Sequence, residues 1–134
     1  MSYAFIVMMA SSPLFLTLAD ASWQRAHYGF VLATSALSLG RPTLLFAGGY
    51  SVHVFSHTMQ GLEGALATEE LLRKNVPSLH DLREAFFALD GRAIACETGM
   101  KMAGLTPQEL VEGVRSGGMI RFLTEVEDHP ILAL

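Results

Sequence analysis

Arg92-Ala93-Ile94-Ala95-Cys96-Glu97-Thr98-Gly99-Met100-Lys101-Met102-Ala103-Gly104 is the stretch on which the reading of this chain turns. The apolar run that begins it predicts a strand, and the residues from Glu97 onward predict the start of a helix. A strand feeding directly into a helix puts Cys96 at the C-terminal edge of a sheet, beside unpaired helix N–H groups that stabilise a thiolate. Position alone leaves two readings open, a working sulfur or a small buried hydrophobe. Glu97 opposes ionisation of a neighbouring thiol, and Lys101, one turn further on, is placed to neutralise it; an ordinary exposed salt pair is the better account of both.

Downstream, Thr106-Pro107-Gln108-Glu109 has capping-box spacing with proline at the first helical position, and predicts a helix ending near Gly117-Gly118. Met119 to Val126 alternates enough to predict a final strand at a sheet edge. Upstream, Ser78-Leu79-His80-Asp81 is a second capping box, opening a helix that carries Leu82, Ala85, Phe86 and Leu89 on one face and stops at Asp90-Gly91. Thr43 to Ala47 reads as a buried strand ended by Gly48-Gly49, and Asp20 as the N-cap of a long helix through Leu39 with Gly40 just beyond it. Tyr3 to Ala10 is a continuous apolar run of the kind expected for a strand covered on both faces. Between Ser51 and Asn75 the pattern is broken by Gly61 and Gly64, and predicts a lid, an edge or an interface element with a polar helix ending near Lys74. Strand, crossover helix and strand in this order predict a three-layer α/β/α sandwich with a mostly parallel sheet, formed by a single domain over residues 1–134.

The chain has 134 residues, of which 51% are hydrophobic and 16% charged, against a usual charged share of about a quarter. That surplus of apolar surface predicts self-association. A formal net charge of −4 without any Lys/Arg cluster argues against a nucleic-acid partner. The apolar stretches Tyr3–Leu18 and Tyr28–Leu39 are interrupted or short of the ~20 residues that a membrane-spanning helix needs, so stable membrane insertion is not expected and the cytoplasm is the expected compartment. One cysteine excludes an internal disulfide, an internal redox pair and any multi-cysteine metal site within one chain.

Ala93-Ile94-Ala95-Cys96-Glu97-Thr98-Gly99-Met100-Lys101-Met102-Ala103-Gly104-Leu105, followed by Leu110-Val111-Glu112-Gly113-Val114 and Gly117-Gly118-Met119, resembles the DsrE/DsrF-like family of sulfur-relay proteins. Phe46-Ala47-Gly48-Gly49 matches that family's glycine-containing loop after the second strand, and the resemblance covers nearly the whole chain. It implies a flavodoxin-like arrangement, assembly as a homotrimer or homohexamer, donor and acceptor proteins as partners, and a cysteine that carries sulfane sulfur as a persulfide. Only Cys96 maps onto the family's functional residue. The rival readings are a non-catalytic interaction subunit of a sulfur-metabolism complex and, further off, a nucleotide- or flavin-binding domain.

Other constellations carry less. His53 and His57 are four apart, but no Glu stands beside the first and no third ligand is near in sequence, so no metal site is expected; either imidazole is instead a candidate for lining the Cys96 site. Gly48-Gly49-Tyr50-Ser51 fits neither dinucleotide nor phosphate-loop spacing, and no cofactor is expected. Met100 and Met102 read as core packing, and Ser11 and Ser12 as turn formers.

Overall fold

The computed structural model describes residues 12–134. The strand expected over Tyr3–Ala10, and Ser11 with it, lie outside the described residues. Here the first strand is β1, Leu14–Leu18, which begins one residue after the Ser-Ser-Pro turn expected to end a strand. Helix α1, Trp23–Ser38, follows, then β2, Thr43–Ala47, and a 3-10 helix, Gly49–Phe55. Helices α2, Thr68–Arg73, and α3, Leu79–Ala88, lead to β3, Arg92–Cys96. Helix α4, Glu97–Ala103, a single 3-10 turn at Pro107–Glu109 and β4, Val114–Gly117, come next. The chain closes with α5, Met119–Val126, and β5, Leu132–Ala133.

The five strands form one sheet in the order β4-β3-β2-β1-β5, and each neighbouring pair is parallel. Right-handed crossovers then fix the layers. Steps from β1 to β2, β3 and β4 all run in one direction and leave their helices on one face. The return from β4 to β5 runs the other way and leaves α5 on the opposite face. The packing agrees. Leu16, Leu45, Ala93 and Ala95 pack with Phe30 of α1, Phe86 of α3 and Met100 of α4, whereas Phe15, Leu44, Phe46 and Ile94 pack with Phe122 and Val126 of α5. The three-layer α/β/α sandwich expected from the sequence is the fold, with every strand pair parallel.

Three local expectations are corrected. Helix α1 is capped by Ser22, whose hydroxyl accepts from the Arg25 amide, while Asp20 sits two residues earlier, accepting from the Ser22 amide and pairing with Arg25. The Thr106 segment makes one 3-10 turn in place of a helix. Its backbone is claimed by tertiary bonds, His57 N–H to Glu109 O at 3.1 Å and Val111 N–H to Phe55 O at 2.9 Å, which hold Leu110 and Val111 extended. Met119–Val126 is a helix and not a strand. A parallel chain returning from one side of the sheet to the other needs a crossover of this kind, and Phe122 and Val126, four apart, then share the buried face.

Other expectations match. The Ser78 capping box is complete, with Ser78 Oγ accepting from the Asp81 amide and Asp81 accepting from the Ser78 amide. Gly40 takes φ +82° beyond the end of α1. Of the Ser51–Asn75 segment, the polar helix expected near Lys74 is α2, but Val52, Val54 and Phe55 are buried within the chain's own core and form no lid, edge or interface element.

Candidate functional site

The site is built by the ends of two neighbouring strands. Helices α4 and α5, which follow β3 and β4, lie on opposite faces of the sheet, so the chain parts to opposite sides just beyond the paired ends of the two strands, the kind of switch-point crevice at which open α/β sheets bind their ligands. Cys96 is the last residue of β3 and the N-cap of α4. Its register partner across the crevice is Gly117, the last residue of β4. Gly118 caps α5 immediately after it. Cys96 is half-buried and its side chain contacts the cores on both faces of the sheet. The thiol is free.

The floor of the crevice is held by close backbone contacts. A Cβ at Gly99, in the first turn of α4, would lie 2.5 Å from the Gly49 carbonyl oxygen. At Gly49, which takes φ +51°, it would overlap the Ala19 carbonyl oxygen. Across the crevice a Cβ at Gly117 would meet Ile94 at 3.3 Å and Arg121 at 3.1 Å. The loops after β1 and β2 and the start of α4 thus stack at one end of the sheet without intervening side chains. Ala47 and Ala95 are register partners, so Cys96 stands next to the Gly48-Gly49 loop.

The imidazoles take a different place. His53 and His57 line a cleft of about 280 Å³ together with Gln60, Leu105 and Glu109. Cys96 is not part of its lining. The His53 ring lies flat over Gly61, where any Cβ would overlap it. Among the described residues no group of three His, Cys, Asp or Glu side chains is placed to hold a metal ion. Glu97 and Lys101 are both exposed and are not among the ion pairs of the described residues.

Sequence reasoning passed over Arg83. Only 7% exposed, it sends its guanidinium from α3 to the carbonyls of Val54, Ser56 and His57 at 2.9, 2.6 and 3.4 Å, fastening the end of the 3-10 helix. Burial pushes this group below its usual value. An arginine at an inward position of a capped helix was the available signal. Gly99 was passed over too, although a glycine inside a helix generally marks close packing.

A parallel α/β sandwich with a free thiol at the fork between two strand ends defines a class of small cysteine-bearing α/β proteins. A family model described as DsrE/DsrF/DrsH-like matches residues 45–132, and the chain belongs to that family. Among solved structures it is similar to the crystal structure of the ychN protein from E. coli, at 15% identity and a TM-score of 0.61, over 91% of this chain and 99% of that one. At that identity the likeness is one of fold. No curated protein matches the chain. No helix among the described residues is long and apolar enough to cross a membrane.

Proposed function

We propose that this protein is a sulfur relay that accepts and passes on sulfane sulfur as a persulfide on Cys96. A sulfur-relay role in general follows from membership of the DsrE/DsrF/DrsH-like family. The observation that carries the finer reading is the position of the chain's sole cysteine, half-buried at the fork between β3 and β4. The Cys96 thiolate attacks the outer sulfur of a persulfide donor, the donor's S–S bond breaks, and the donor leaves as its thiolate. An acceptor thiolate then attacks the outer sulfur on Cys96 and regenerates the starting thiolate. Neither step needs an external oxidant. With one cysteine per chain, donor and acceptor are other molecules. Together with a cytoplasmic location and a homotrimeric or homohexameric assembly, they complete the proposal.

Intact mass after incubation with a persulfide donor tests it. The wild-type chain should gain the mass of one sulfur atom, a reductant should remove it, and Cys96→Ser should gain nothing while keeping its fold. A wild-type protein that takes up no sulfur, and whose thiol resists alkylation until unfolded, would support an interaction subunit with an incidental cysteine. The contact of Cys96 with both cores is the observation that keeps that second reading in view.

A further inference from the structure

We propose that Gly99 is a positioning residue for Cys96, setting how the sulfur stands in the crevice by letting the first turn of α4 seat directly on the backbone of the loop after β2. The inference rests on the reading of Cys96 as the working sulfur. Cys96 and Gly99 are the N-cap and third residue of one helical turn, so whatever displaces Gly99 displaces the backbone that carries the thiol.

The seat has no slack. A Cβ at position 99 would lie 2.5 Å from the Gly49 carbonyl oxygen, 2.9 Å from the Gly49 nitrogen and 3.0 Å from Val52 Cγ1, where ordinary contact begins at 3.4 Å. Two of these three neighbours are backbone and cannot swing aside. Nor can the Gly49 backbone retreat freely, because its own Cα faces the Ala19 carbonyl with room for a hydrogen only. Alanine is the better helix former, so the helix itself gains nothing from glycine here. What glycine supplies is the approach. Adding one methyl therefore forces α4 away from the sheet end by roughly 1 Å, a displacement that can cost a reacting group about a hundredfold in rate.

The test uses Gly99→Ala with Met102→Ala as its control. Met102 lies on the same helix as Gly99 and is 52% exposed, away from the contact with the loop after β2. Because Cys96 is the only cysteine, labelling with 13C-cysteine gives a single Cβ resonance that reports its surroundings. In Gly99→Ala this resonance should move, the rate of alkylation of the folded protein should fall, and that of sulfur loading should fall by up to about a hundredfold. In Met102→Ala all three should stay at wild-type values. Adding Val52→Ala to Gly99→Ala should not restore them, because the Gly49 backbone still obstructs.

A Gly99→Ala protein with lower thermal stability but an unmoved resonance and wild-type alkylation below its melting temperature would overturn the proposal, leaving Gly99 a packing residue. Recovery on adding Val52→Ala would also overturn it, placing the constraint in a side chain. A wild-type chain that loads no sulfur while its resonance and alkylation still respond to Gly99→Ala would end the relay reading and leave the positioning intact.

Discussion

A guanidinium taken out of water is costly unless its donors are met. Arg83 meets them with main-chain carbonyls at the C-terminal end of the 3-10 helix, where the peptide dipoles present partial negative charge. Its charge reaches His80 on the same helix. Burial first, and the Arg83 charge second, hold the His80 imidazole below its ordinary 6.5, with Asp81 working the other way. The unfolded chain therefore takes up this proton before the folded one. Stability present above pH 6.5 drains away as the pH falls toward the lower folded value. Since His80 is largely exposed, the effect is small. Melting temperatures should decline from neutral pH to about pH 5, and His80→Gln should flatten part of that decline; an unchanged slope would show that His80 is not coupled to folding. Asp20 titrates in another window. The Ser22 amide and Arg25 hold its carboxylate below 3.8, so what it contributes is lost only in stronger acid. Of the residues that make the candidate site, Cys96 was legible because its neighbours in sequence define it. The stacking of Gly99 on Gly49 was not, because it joins positions fifty residues apart.

Elements divide along the same line. Strands β2 and β3 and the capped start of α3 declare themselves locally, by an apolar run or by two polar side chains that satisfy each other's backbone. Helix α5 does not. Met-Ile-Arg-Phe-Leu-Thr-Glu-Val reads equally as a strand until the topology demands a crossover, and its helical face becomes plain only once Phe122 and Val126 meet the sheet. Phe122 has no solvent exposure, lies 4.9 Å from the Phe46 ring and meets Phe15 edge-on at 6.5 Å. Phe122→Ala should cost about 3–5 kcal/mol in urea unfolding. A loss under about 1 kcal/mol would mean that the sheet keeps its second face covered by other means. The Thr106 box failed in the opposite sense. Thr106 Oγ1 donates to the Glu109 carboxylate at 3.2 Å and caps no backbone amide, while bonds to His57 and Phe55 hold the segment.

Across the whole molecule, the apolar surplus read from composition is unevenly spent. The segment after β2 buries Val52, Val54, Phe55 and Leu71 but leaves Leu66 and Leu72 exposed, and α5 turns Met119, Ile120 and Leu123 outward, with Ile120 83% exposed and Ile131 nearby in sequence also uncovered. The proposed trimer or hexamer would draw on that outward face. Light scattering at low micromolar concentration should give a mass above that of a dimer. Replacing Ile120 and Leu123 together with glutamate should shift it toward the monomer while Phe122 keeps α5 in place. A wild-type monomer, or an assembly indifferent to the double substitution, would remove α5 from the interface.

The sheet order also has a meaning for a chain made from one end. During translation β1, β2 and β3 leave the ribosome with the helices that cover their first face, and each new strand extends the sheet in the same direction. Phe15, Leu44, Phe46 and Ile94 on the second face wait for α5, which is made last but for β5. At ~5–20 residues per second the nascent chain passes through a brief period with one face covered by its helices and the other still lacking α5, and transiently exposed apolar surface of that kind is what chaperones shelter.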